Sequence, residues 1–97
     1  MKIHISENQK LEILERIQRY FPKAKIMFFG SRVRGDHKTY SDLDICLDDH
    51  GAPLVLSQLA HLEEEFSNSD IPFKIDIVDW NRITPDFQKI ITSGSLI

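Results

Sequence analysis

Asp42 and Asp44 stand two apart in the stretch YSDLDICL, with Leu43 between them and Ile45 and Leu47 following. In an extended chain alternate residues share a face, so both carboxylates open into one space. Two such groups raise one another's pKa unless a cation neutralises them. Oxygen-only ligands suit a hard ion such as Mg²⁺ or Mn²⁺, which takes one or two carboxylates together with phosphate oxygens. Taken alone, Asp-x-Asp also describes a solvent-facing acidic pair at a strand end. Upstream, Gly30-Ser31 ends another apolar run and leads into Arg32 and Arg34. A glycine closing a strand and a serine opening a helical turn present N–H groups and a hydroxyl to an anion, with the helix dipole adding to the attraction. Arg34, three residues past Ser31, returns to the same side of such a turn and can reach a phosphate. Arg32 points elsewhere, to the rim or to an ion pair. Gly-Ser by itself would serve equally as a cap, but beside the aspartates it describes a phosphate cradle next to a divalent-metal cage. Phosphoryl-transfer sites are built that way. Asp76 interrupts the apolar run FKIDIV, where an acid must find a partner or a metal. Asp42, Asp44 and Asp76 together supply the three carboxylates that two ions need. Asp79 would project to the opposite face from Asp76 and reads as a turn or cap residue.

The elements that must position these groups follow from periodicity and punctuation. A helix starts at Ser6, with Gln9 completing a capping-box pattern, and Leu11, Leu14, Ile17 and Phe21 form its apolar stripe before Pro22 ends it. KIMFF, residues 25–29, reads as a buried strand with Phe28 and Phe29 as a buried pair, and Gly30 breaks it. A short helical turn over 31–36 closes at Gly35. Residues 43–47 form the second strand, with Leu43, Ile45 and Leu47 on one face and Asp42, Asp44 and Cys46 on the other. His50-Gly51 reads as a turn. Pro53 suits the start of a helix running to Phe66, with Val55, Leu59, Leu62 and Phe66 as its stripe. Residues 73–78 form the third strand, and a last helix begins near Thr84-Pro85 and carries Phe87, Ile90 and Ile91. The expectation is one α/β domain over residues 1–97, a small mixed sheet packed with helices.

Composition bounds the rest. Ninety-seven residues suffice for one core, and 41% apolar with 28% charged residues is ordinary for a soluble globular chain. Fifteen acids against 12 bases leave a net charge of -3. That balance argues against direct nucleic-acid binding, although Lys23, Lys25, Arg32, Arg34, His37 and Lys38 crowd one stretch. The single cysteine, Cys46, excludes an internal disulfide framework and reads as a buried, inert thiol. His4, His37, His50 and His61 lack metal-ligand spacing. Tyr40 reads as a packed loop aromatic or a surface for a nucleobase, and Trp80 and Phe87 as candidates for partner contact. No apolar run approaches the ~20 residues that span a bilayer and the N-terminus lacks a signal-peptide pattern, so the expectation is a cytoplasmic protein with no membrane partner.

Gly30-Ser31, ten further residues, Asp42-Leu43-Asp44 and then Asp76 on a later strand resemble the nucleotidyltransferase superfamily typified by DNA polymerase beta. The wording FGSRVRG and YSDLDI, with the tail DIVDW and DFQKII, is closer still to the minimal nucleotidyltransferases (MNT) of bacteria and archaea. The resemblance spans nearly the whole chain. It implies a nucleotidyltransferase fold in which Gly30 and Ser31 hold a nucleoside triphosphate and Arg34 assists. Asp42 and Asp44 would bind both of two Mg²⁺ (or Mn²⁺) ions. Asp76 would bind the catalytic ion and help deprotonate the attacking hydroxyl. Such proteins are typically encoded beside a HEPN-domain protein and form a toxin–antitoxin pair with it, attaching AMP from ATP to a tyrosine of the HEPN toxin. A chain this short offers little surface for choosing an acceptor, so a protein partner that presents one is the natural inference. Two other readings compete. One is a non-catalytic antitoxin that neutralises its partner by covering it, against which stand three mutually repelling acids that a relic site would not keep. The other is transfer to a small molecule such as an aminoglycoside, which larger relatives perform with added domains.

Overall fold

The structure, a computed structural model, describes residues 5–30 and 42–94. Helix α1 (Glu7–Tyr20) leads to strand β1 (Lys25–Phe29), then β2 (Leu43–Asp48), helix α2 (Leu56–Ser67), β3 (Ile75–Asp79), a 3₁₀ turn (Trp80–Arg82) and helix α3 (Pro85–Gly94). The sheet runs in the order β1-β2-β3, with β1 antiparallel and β3 parallel to β2. This is the expected α/β layering around a small mixed sheet.

Local chemistry explains each boundary. Ser6 Oγ accepts from Gln9 N–H at 3.1 Å and Gln9 Oε1 accepts from Ser6 N–H at 3.0 Å, so the capping box forms and α1 starts there. The buried stripe of α1 centres on Ile13 and Ile17, with Phe21 just past the helix and Leu14 partly covered. Leu11 does not belong to it and is 58% exposed. Two residues from Ile13 is more than half a helical turn, which carries Leu11 to the far side. Helix α2 starts at Leu56, not at Pro53, because the chain before it is tied elsewhere. Asp49 and Ala52 form an isolated bridge, and Leu54 donates its N–H to Asp79 Oδ2 at 2.8 Å. Leu54 is therefore buried ahead of the helix while Val55 is exposed, and the α2 stripe reduces to Leu62, Phe66 and the half-buried Leu59. Strand β3 begins two residues later than the sequence suggests. Its ladder with β2 starts at Leu43↔Ile75, where β2 itself begins, and just ahead of it Leu43 N–H donates to the Lys74 carbonyl at 2.9 Å.

The sheet separates two apolar layers. Phe28, Leu43, Ile45, Leu47 and Ile75 face α1 and α2 and make the main core. Met27 and Cys46 face the other way with Ile91 of α3, joined by Phe29, Val78, Trp80 and Ile83. Phe28 and Phe29 are thus not a buried pair: neighbouring strand residues point to opposite faces, so Phe28 is buried in the main core and Phe29 is half-buried under α3. Among the described residues no helix is long and apolar enough to cross a membrane.

Candidate active site

Asp44 and Asp76 are Cα partners in the parallel β2–β3 ladder, and Phe29 is the partner of Asp44 across the antiparallel β1–β2 ladder. Residues paired across a sheet share a face, so the two carboxylates stand side by side on the α3 side. Gly30 lies one step past Phe29 with φ +88°, a conformation that side chains rarely adopt. A Cβ at Gly30 would collide with Asp44 Oδ2 and lie 3.0 Å from its Cγ. Glycine is thus required twice here, for the turn out of β1 and for the close approach of that backbone to a carboxylate.

These groups open into a cleft of about 500 Å³ whose polar side is Gly30, Asp44 and Asp76. Its apolar wall is Phe29, Ile77 and Val78 of the sheet with Phe87 and Ile90 of α3. Asp76 is 41% exposed and pairs with Lys74 Nζ at 3.3 Å. The sequence signal for that pair was the i,i+2 spacing on a strand, and the sequence reading missed it. Asp42 is exposed at the entrance to β2 and is not part of the cleft lining. Ser31, Arg32, Arg34, His37, Tyr40 and the expected turn over 31–36 lie outside the described residues. Among the described residues no three His, Cys, Asp or Glu side chains are gathered into a group that could hold a metal ion. Asp44 and Asp76 nonetheless fit a hard divalent cation: two neighbouring oxygen donors on rigid strands, open to a cleft where phosphate oxygens and water can complete the shell.

Asp79 behaves as the sequence suggested, as a cap. It is 7% exposed, and its Oδ1 accepts from Asn81 N–H at 3.1 Å while Oδ2 accepts from Leu54 N–H and from Arg82 Nε at 2.9 Å. Asn81 also donates to Asp48 Oδ1 at 2.9 Å. This network pins the exit of β3 to the exit of β2, a few residues along the same strands from the paired Asp76 and Asp44. Cys46 is fully buried, and burial, with the charges of Asp48 and Asp79 beside it, pushes its thiol up to about 11.

A mixed three-stranded sheet with helices on both faces and a glycine turn leading out of the first strand is a nucleotidyltransferase fold. Residues 11–97 match the family described as Polymerase beta, Nucleotidyltransferase. A Haemophilus influenzae protein named "Probable protein adenylyltransferase MntA" is 38% identical over 86 residues, covering 88% of this chain and 75% of the relative. A solved minimal nucleotidyltransferase superposes with a TM-score of 0.75 at 20% identity, covering 97% of each chain. A toxin–antitoxin crystal structure with AMP-PNP superposes with a TM-score of 0.74 at 19% identity, over 95% of this chain and 71% of the other. The chain belongs to the polymerase beta nucleotidyltransferase family, and its activity is nucleotidyl transfer.

Proposed function

We propose that this protein is the antitoxin of a toxin–antitoxin pair and transfers AMP from ATP to a tyrosine hydroxyl of a HEPN-domain toxin. The observation that carries the reading is the in-register pair Asp44 and Asp76 beside the Gly30 turn, at the floor of one cleft. The name of the H. influenzae relative and the toxin–antitoxin neighbours support it. The Gly30 turn, with Ser31 and Arg34, receives the triphosphate. Asp44 and Asp76, joined by Asp42 from the entrance to β2, would hold two Mg²⁺ ions, which would neutralise the charge that develops on the phosphate oxygens. In this reading Asp76 takes the proton of the acceptor hydroxyl. The tyrosine oxygen then bonds to the α-phosphorus, the bond from that phosphorus to the β-phosphate oxygen breaks, and pyrophosphate leaves with the electron pair. Register on two adjacent strands fixes the carboxylates before substrate arrives, so little reorganisation opposes the reaction.

The test is the intact mass of the HEPN-domain partner after incubation with this protein, ATP and Mg²⁺, with Asp44→Asn as control. A gain of one or more adenylyl units, absent in the control, is expected. A stable complex with no mass gain would remove the catalytic reading and leave neutralisation by binding.

A further inference from the structure

Arg16 and Arg19 reach from α1 to Glu65 on α2, at 2.9 and 3.2 Å, and so fasten one helix to another. The ion pair of Lys74 with Asp76 fastens no two elements. Both residues belong to one extended segment, two apart, where alternate side chains share a face. Lys74 Nζ lies 3.3 Å from Asp76 Oδ1, and the two side chains are 71% and 41% exposed. A pair so exposed contributes little to stability. Its effect falls instead on the carboxylate, which lines the cleft with Asp44 and Gly30. The backbone of the lysine is held, because its carbonyl accepts from Leu43 N–H at 2.9 Å at the start of β2. A flexible aliphatic stem separates that anchor from the ammonium, so the charge can leave Asp76 while the strand stays in place.

We propose that Lys74 is a positioning residue, a displaceable counter-ion that occupies Asp76 until a divalent ion arrives and so weakens metal binding in the absence of nucleotide; this rests on the reading of Asp44 and Asp76 as metal-holding residues. The two aspartates are partners across the parallel ladder, so two negative charges face one space. With no divalent ion between them they repel, and an ammonium on Asp76 offsets part of that repulsion. The ammonium and a metal ion compete for the same carboxylate oxygens. A dication a few ångströms from an ammonium is repelled by it even in a water-like dielectric, so the ion must displace Lys74 to settle. A triphosphate brings negative charge of its own, which favours the dication and gives the released ammonium a new partner. Metal and nucleotide therefore enter together, and the ion alone binds weakly.

The test is Mn²⁺ binding to the full chain, followed by the paramagnetic resonance signal of the free ion, in wild type, Lys74→Met, Lys74→Arg, Lys23→Met and Asp44→Asn. Without nucleotide, Lys74→Met should bind Mn²⁺ about three- to tenfold more tightly than wild type. Lys74→Arg keeps the charge and should match wild type. Lys23→Met removes the same charge at an exposed position beyond the other end of β1 from Gly30, and should also match wild type. Asp44→Asn should weaken binding. Saturation with a non-hydrolysable ATP analogue should narrow the gap between wild type and Lys74→Met, because the released ammonium then has phosphate to pair with. Wild-type affinity in Lys74→Met, with Asp44→Asn still weakening binding, would overturn the inference and leave the metal site standing. Equal tightening in Lys23→Met would also overturn it, as an effect of net charge, and a gap that the analogue leaves unchanged would overturn the link to nucleotide. Mn²⁺ binding that Asp44→Asn does not change would remove the metal reading of the cleft, and the role of Lys74 with it.

Discussion

Gly30 and Asp76 put the arrangement at risk in different ways. Gly30→Ala forces a Cβ into the Asp44 carboxylate at a positive φ, so either the β1 exit or the carboxylate must move. A loss of about 1–3 kcal/mol in urea unfolding is expected, together with loss of transfer. An unfolding midpoint equal to wild type would show that this turn has slack. Asp76→Asn should behave oppositely. Its ion pair with Lys74 is exposed, so stability changes by less than about 0.5 kcal/mol, while turnover falls at least about a hundredfold through loss of the proton acceptor. Single-turnover kinetics with Asp76→Asn at saturating ATP measure this, and near wild-type rates would remove the role assigned to that side chain. Cys46 lies on the same face but is buried and does not line the cleft. Burial keeps it protonated, and a thiol reagent at neutral pH should label it only on unfolding.

Between elements, two polar networks set the geometry. Asp79 ties β3 to the segment before α2, and Asp79→Ala would strand the Leu54 N–H and release Arg82. The expected cost is about 3 kcal/mol, read by thermal unfolding; a cost under about 1 kcal/mol would mean water replaces the carboxylate readily. The second network joins α1 to α2 on the far side of the sheet. Glu65 accepts from Tyr20, from Arg16 at 2.9 Å and from Arg19 at 3.2 Å. The Tyr20 hydroxyl and the two guanidiniums hold the Glu65 carboxyl below its usual range, and the Gly51 N–H and the Asn81 amide do the same for Asp48. Both folded-state values are lowered, so their stabilisation is complete above the unfolded carboxylate range and disappears as pH falls through the lowered values. Stability should therefore be level from neutral pH to about 5 and decline below about 4. Glu65→Gln should flatten that decline in acid unfolding curves, and an unchanged acid limb would show that other carboxylates dominate it. Tyr20 has the reverse sign. Its hydroxyl is held up by the bond to Glu65, so that contribution persists below the ordinary phenol range and is lost only at strongly alkaline pH.

In the assembled protein these parts meet in a division of labour. One face of the sheet is committed to the main core under α1 and α2. The other packs against α3 at one end and, toward Gly30, carries the cleft lined by Asp44 and Asp76. Chelation offers a direct check of the metal requirement. Excess EDTA should abolish AMP transfer and added Mg²⁺ restore it, whereas activity that persists in EDTA would exclude hard-cation chemistry at these carboxylates.

Much was legible in the order of residue types. Alternation in LDICL assigned Leu43, Ile45 and Leu47 to one layer and Asp44 and Cys46 to the other, because a strand has a period of two whatever surrounds it. The Ser6–Gln9 box, the end of β1 at Gly30 and the start of α3 at Pro85 were equally local, and the motif built on Gly30, Asp42, Asp44 and Asp76 pointed to nucleotidyl transfer. What the chain could not show from its own order was whatever depends on the partners of an element. Leu11 and Ile13 compete for one helix face, and only packing against the sheet chose Ile13. Pro53 permits a helix, but the hold of Asp79 on Leu54 delays it to Leu56. Asp44 and Asp76 are far apart in sequence, and the parallel register of β2 with β3 alone makes them neighbours. Tertiary structure likewise placed Phe87 and Ile90 at the mouth of that site, since a helical period identifies an apolar side without saying what it will face.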